Sequence, residues 1–252
     1  YRRSLALPHG PAVMALTPAA DHVVAQFRLD DQRDLTAAVA RARRLLDLDA
    51  DPESVNAALA RDPILRPLVR TCPGLRVPGH PDGFELIVRA VMGQQVSVVG
   101  ARTLAGRLVQ RAGKPLDAPS GDITHLFPDA ATVAALGPDE FAMPRARAHA
   151  LRGVARAMAD GEIAIDPGAD RDALRAQLVG LPGIGPWTAE YVLMRAVGDP
   201  DAFLPTDLGI RRALEAKGLD ANSKAVIARA EAWRPWRAYA NVHLWRSEGA
   251  PR

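Results

Sequence analysis

One carboxylate, Asp207, follows the apolar run Phe203-Leu204-Pro205 and opens an expected helix. Upstream, Leu181-Pro182-Gly183-Ile184-Gly185-Pro186 separates two helical patterns, and Trp187 and Tyr191 follow it directly. A glycine turn before a helix start offers free N–H groups and a positive dipole end, which suit a phosphate. Gly183 and Gly185 tolerate positive φ and close backbone approach, and Pro186 fits the first position of the next helix. Leu181 and Ile184 would point inward. Trp187 and Tyr191 are four residues apart and so share one helix face, where electron-rich rings could hold a cationic group. A fixed carboxylate nearby could stabilise positive charge developing on a substrate. Each feature also has an ordinary structural reading. Asp207 can be an N-cap, the aromatic pair can be core, and the turn can be only a turn.

The elements that must position these groups are mainly helical. Two strands are expected early, near Val13–Leu16 and His22–Leu29, and a two-stranded ribbon is marginal alone. An upstream segment is therefore expected to complete a sheet. Apolar residues at 35, 38, 39, 42, 45 and 46 then mark a helix over Asp31–Leu48. From Pro52 onward the pattern predicts helices and loops and no further strand. Short helices are expected at Pro52–Ala60 and Asp62–Val69, and a Pro/Gly-rich loop at Thr71–Pro81. Gly83–Met92 and Val96–Ala112 read as apolar helices interrupted by Gly93-Gln94-Gln95. Further helices are expected at Asp129–Leu136, Asp139–Met143, Arg145–Asp160, Arg171–Val179, Pro186–Val197, Asp207–Ala216, Ser223–Ala232 and Trp236–Ser247.

Composition narrows the function classes. The chain has 252 residues, 48% of them hydrophobic, which is enough for one large core or several small ones. No run of about 18 apolar residues suggests a membrane span, and the opening residues lack a signal-peptide pattern. The expected location is therefore the cytoplasm. A single cysteine, Cys72, excludes a disulfide framework and a Cys₄ cluster; a small buried hydrophobe is its expected role. No His/Cys/Glu spacing suits a catalytic zinc. The net charge of +3 permits nucleic acid as a partner without requiring it. Arginine dominates the basic residues, and the only lysines are Lys114, Lys217 and Lys224.

Taken together, the hairpin, the aromatic pair and the aspartate resemble the helix-hairpin-helix glycosylase superfamily, in which they occur in this order and near this spacing. Further motifs sharpen the likeness. Gly83-Phe84-Glu85 through Val91-Met92-Gly93-Gln94-Gln95-Val96-Ser97-Val98 is similar to bacterial DNA-3-methyladenine glycosylases II of the AlkA type. So are Trp233-Arg234-Pro235-Trp236-Arg237-Ala238-Tyr239 through His243-Leu244-Trp245 and the opening Tyr1-Arg2-Arg3-Ser4-Leu5-Ala6. The resemblance covers nearly the whole chain.

This resemblance implies a mainly α fold: two helical domains with a helix-hairpin-helix motif, preceded by a truncated small α/β domain. The expected division is 1–50 for the mixed α/β domain, 51–80 with 200–252 for the helical domain carrying the aspartate, and 81–199 for the helical domain carrying the hairpin. It implies a monofunctional enzyme, a monomer, that acts on double-stranded DNA with alkylated bases and needs no catalytic cofactor. Asp207 would be the catalytic carboxylate. Trp187, Tyr191, Trp245 and Leu208 would form the base pocket, and Gln94, Gln95, Gly183, Ile184 and Gly185 would contact DNA. The backbone carbonyls of Val179, Leu181 and Ile184 would hold a structural monovalent cation. Relatives that also nick the strand carry a lysine two residues beyond the second hairpin glycine, where this chain has Trp187.

Two departures stand out. The family often places a bulky apolar wedge where this chain has Gln95, and larger side chains where it has Leu208 and Gly209; the latter change is expected to widen the pocket. His243 is expected to be half-buried and hydrogen-bonded, without a catalytic role. Arg211 and Arg212 suit either phosphates or a solvated face. Alternative readings are a non-enzymatic hairpin module that only grips phosphates, a glycosylase for oxidised or mismatched bases, and the C-terminal part of an alkylation-response regulator.

Overall fold

The computed structural model describes residues 1–249. Strands β1 (Arg2–Ala6), β2 (Pro11–Pro18) and β3 (Val23–Leu29) form an antiparallel sheet with β2 in the middle. Ser4 lies opposite Val13 and Met14 opposite Phe27. Side chains alternate between faces along a strand, and both faces of β2 are covered. Ala12, Met14 and Leu16 pack with Ala38 and Ala42 of helix α1 (Leu35–Leu45). Val13 packs instead against Leu116, in strand β4 (Pro115–Ser120), and Leu126, just after strand β5 (Ile123–His125); β4 and β5 form a small ribbon.

Three of these strands depart from the sequence expectation. β1 contributes one fully buried side chain, Leu5, and β4 contributes only Leu116. Neither carries a strong period-2 pattern. Long-range bonds support them instead: Arg2 donates to the Ser120 carbonyl at 2.8 Å, and the Ser4 hydroxyl donates to the His125 carbonyl at 2.8 Å.

The remaining helices are α2 (Pro52–Leu59), α3 (Leu65–Thr71), α4 (Gly83–Gly93), α5 (Val98–Ala112), α6 (Ala130–Ala135), α7 (Arg145–Ala159), α8 (Arg171–Gly180), α9 (Pro186–Val192), α10 (Leu208–Glu215), α11 (Ser223–Ala230) and α12 (Arg237–Ser247). Their starts follow from caps in the sequence. Asp51, Asp82, Ser97, Asp129, Asp170 and Asn222 each accept from backbone N–H groups of the helix they precede. Each such cap contributes about 1 kcal/mol. Ser97 sets the start of α5 two residues later than apolar periodicity suggests. The helix expected at 139–143 is a 3₁₀ turn, Pro138–Glu140. Helix α9 widens into a π turn at Leu193–Val197 and stops at Gly198, whose φ is +77°.

Helix α4 is buried on nearly every side and packs on α5, α7 and α9. Helix α12 packs on α3 and α10. The fully buried Trp233 donates from its indole to Asp62 at 2.9 Å, and Tyr239 donates its hydroxyl to Asp47 at 2.9 Å. These bonds tie the C-terminal helices to the segment before α4. One apolar core runs from Val55 to Leu244 through all the later helices. Cys72 is half-buried. Among the described residues, no helix is long and apolar enough to cross a membrane.

Candidate active site

A cleft of about 720 Å³ opens between the turn after α4, helix α9 and the start of α10. Asp207, Trp187, Tyr191, Leu208, Gln94, Gln95 and Gly185 all line it. The arginines Arg89, Arg102 and Arg195 and the imidazole of His80 complete its polar wall.

Asp207 does cap a helix. Its Oδ1 accepts from the Gly209 N–H at 2.9 Å and the Ile210 N–H at 3.1 Å. The same carboxylate is also held by two indoles. Trp245 donates from Nε1 to Oδ1 at 2.7 Å, and Trp187 donates from Nε1 to Oδ2 at 3.0 Å. Among the described residues, Oδ1 therefore takes three donors and Oδ2 one. A carboxylate oxygen has room for about two strong acceptor contacts, so Oδ2 keeps free capacity. Trp245 contacts Asp207 without lining the cleft.

Trp187 and Tyr191 stack with ring centroids 5.1 Å apart and planes inclined by 9°. The Arg195 guanidinium lies 5.5 Å from the Tyr191 ring centroid and donates to its hydroxyl at 3.2 Å. This fixes the orientation of the aromatic wall. Arg195 was missed by the sequence reading, although its i+4 spacing from Tyr191 is a usable signal.

Arg89 is anchored in another way. Glu85, 3% exposed, accepts from Arg89 at 2.7 Å and pairs with Arg3 of the sheet. Burial pushes the Glu85 carboxyl up, but Arg3 and Arg89 outweigh it, and the net position is below the ordinary range. Burial pulls His80 down to about 4 despite the nearby Glu85, so its ring is neutral at pH 7.

The hairpin has the expected economy. The Leu181 N–H bonds to the Leu178 carbonyl and the Ile184 N–H to the Leu181 carbonyl, both at 3.1 Å. Gly183 has φ +82°, and a Cβ there would meet the Ala150 Cβ at 2.5 Å. Glycine is required at this position on both counts. Ile184 is buried and Leu181 half-buried, while Val179 is exposed. Gly185 is exposed with open space around it. The Leu181 carbonyl accepts one bond and keeps a second lone pair.

The turn after α4 joins this hairpin through Gln94, whose amide donates to the Gly183 carbonyl at 3.2 Å. Gln95 stands exposed at the tip with φ +58°. Val96, Val98 and Val99 beside it are also exposed, Val99 to 73%. Three solvent-facing valines at a helix start are a signal that the sequence carried within the helix expected at Val96–Ala112.

Two expectations are corrected. Gly209 does not widen the cleft; it lies against Trp245. His243 is 1% exposed, and neither ring nitrogen has a partner among the described residues. Arg211 donates to the Ala221 carbonyl at 3.0 Å, so it serves the fold locally. Lys114, Lys217 and Lys224 are exposed and none of them lines the cleft.

Residues 1–82 match the AlkA N-terminal domain family, and residues 88–238 match the family described as HhH-GPD superfamily base excision DNA repair protein. A probable bifunctional transcriptional activator/DNA repair enzyme AlkA of Mycobacterium tuberculosis is 49% identical over 97% of this chain. The chain spans about half of that relative's length, 49%. The DNA-3-methyladenine glycosylase 2 of Escherichia coli is 36% identical, covering 99% of this chain and 86% of its own. In fold, the chain is similar to a 3-methyladenine DNA glycosylase from Archaeoglobus fulgidus, with TM-score 0.84 and 24% identity over 98% of this chain and 86% of that one. The hairpin, the aspartate that caps α10 and the preceding three-stranded sheet thus lie in a chain that belongs to the HhH-GPD superfamily of base excision DNA repair proteins.

Proposed function

We propose that this protein is a monofunctional DNA glycosylase that hydrolyses the N-glycosidic bond of alkylated bases, of the 3-methyladenine and 7-methylguanine type, in duplex DNA. The observation that carries the reading is Asp207, a carboxylate on an open cleft, held by two indoles and two amides beside a stacked aromatic wall.

A base within a duplex is out of reach, so it must leave the stack. Gln95 at the turn tip is suited to fill the gap, with Val96 and Val98 against the groove. The hairpin N–H groups of Gly183 and Gly185 are suited to the phosphate backbone. A monovalent cation on the carbonyls of Val179, Leu181 and Ile184 would extend that grip, and the spare lone pair of Leu181 is compatible with it. The charged base would rest against Trp187 and Tyr191.

Bond cleavage sends the glycosidic electron pair to the base, which leaves neutral when it was cationic. The sugar is left with oxocarbenium character. Oδ2 of Asp207 stabilises that charge. Water then adds to the anomeric carbon, and its proton passes to the carboxylate or to solvent. The products are a free base and an intact abasic strand. A strand-nicking mechanism requires an amine that forms a Schiff base, and Trp187 occupies the position where such relatives have lysine.

A second reading keeps this chemistry within a longer regulator. It rests on the Mycobacterium tuberculosis relative, a probable bifunctional transcriptional activator/DNA repair enzyme of which this chain spans 49%. The test of the main reading is chromatographic detection of free base released from duplexes carrying one defined lesion each. Release of alkylated purines with the strand left intact until alkali treatment is the expected result. No release from any alkylated duplex would overturn it, as would a borohydride-trapped adduct.

A further inference from the structure

Gly209 is the second residue of α10, and its φ lies outside the left-handed region. No backbone requirement calls for glycine there, and helix propensity argues against it. What requires it is a contact. A Cβ at this position would stand 2.9 Å from Cδ1 of Trp245, 3.2 Å from Oδ1 of Asp207 and 3.4 Å from Nε1 of Trp245. The nearest obstacle is a rigid ring whose Nε1 is committed to Asp207 at 2.7 Å.

We propose that Gly209 is a positioning residue for the reaction: its missing side chain lets the Trp245 indole reach Asp207. With that donor in place, Oδ1 carries the Trp245 indole as well as two backbone amides. Oδ2, with Trp187 as its one donor, is the oxygen left to meet the sugar cation. The carboxylate is thus fixed in rotation by one indole on each oxygen. A local preference broken at a site without a backbone reason is the pattern expected where function sets the residue. The inference rests on the glycosylase reading above.

The test compares the parent with Gly209→Ala, Trp245→Phe and the double variant. Four quantities are measured on each: melting temperature, affinity for abasic duplex, single-turnover base release, and the indole N–H resonances in a ¹H–¹⁵N spectrum. Trp245 is assigned by the peak lost in Trp245→Phe. Gly209→Ala is expected to melt somewhat below the parent but to remain folded, since displacing the Trp245 ring costs more than the gain in helix propensity returns. It should bind abasic duplex within about twofold, while release slows about tenfold, the loss expected for one hydrogen bond to a charged group. Its Trp245 indole resonance should move upfield. Trp245→Phe should slow release similarly, and the double variant should be no slower than Trp245→Phe alone, because both changes remove one interaction. Release by Gly209→Ala within about twofold of the parent with an unmoved indole peak would overturn the proposal, and so would additive losses in the double variant. If the parent releases no base, the glycosylase reading fails; the indole shift in Gly209→Ala would then still report whether Gly209 positions Trp245 against Asp207.

Discussion

The Gln94 side chain and the Gly183 carbonyl meet at 3.2 Å, so the turn after α4 and the hairpin before α9 form one connected edge of the cleft. Thr188 Oγ1 lies 3.4 Å from the same Gln94 amide. The two segments proposed to touch DNA are therefore held at a fixed separation.

Asp207→Asn is expected to abolish base release while binding to lesion duplex survives. The amide keeps an oxygen for the helix cap but loses the negative charge, and its NH₂ faces an indole donor. Removing one such electrostatic stabiliser costs about a hundred- to a thousand-fold in rate. Single-turnover release within about threefold of the parent would exclude Asp207 as the catalytic carboxylate.

Gly185→Asp should weaken binding to abasic duplex by about tenfold or more, through a new negative charge at the phosphate. The open space around Gly185 means that the fold should tolerate the change, which a melting curve checks. Binding by the parent should also fall as salt rises, to a similar degree for different flanking sequences. Unchanged affinity in the variant would reduce the hairpin to a structural turn.

Gln95→Ala should weaken binding to lesion duplex more than binding to a lesion-bearing single strand. Gln95 is exposed and makes no packing contribution to the core, so stability should stay within about 0.5 kcal/mol. Equal losses on the two substrates would mean that it does not occupy the gap in the duplex.

Acid should destabilise the protein through two histidines. Burial, reinforced by Arg246, pulls His243 down to about 4, and burial pulls His80 to about 4 against Glu85. The unfolded imidazole titrates near 6.5. As pH falls below about 6.5 the unfolded chain takes up protons that the folded one refuses. Stability from these groups is therefore full above pH about 6.5, declines toward pH 4 and levels below it. His243→Leu removes a buried polar ring that has no partner among the described residues and should melt less steeply with acid than the parent. Melting temperatures at pH 7.5 and pH 5 measure this; parallel losses in parent and variant would show that His243 does not contribute.

The sequence alone determined the helical character of the chain, the candidate carboxylate and the aromatic pair, because these depend on neighbours a few residues apart. Caps such as Asp51, Asp82 and Asp207 act within one helical turn, and Trp187 with Tyr191 shares a face through the helix repeat. The strands β1, β4 and β5 were not legible, because they lack an alternating apolar pattern; they are held by pairing with β2 or with each other and by distant bonds such as Arg2 with Ser120. The same limit hid the second indole on Asp207. Trp245 lies on α12, and only the packing of α12 on α10 brings its Nε1 to Oδ1. Gly209 read as extra room in the pocket because glycine is small; the tertiary structure turns that room toward Trp245. His243 carries no local mark of isolation, since a partner or its absence is set by whatever packs around it. Local periodicity places side chains on a face, but which groups meet across faces depends on how the helices pack, and that is where the carboxylate acquires its orientation.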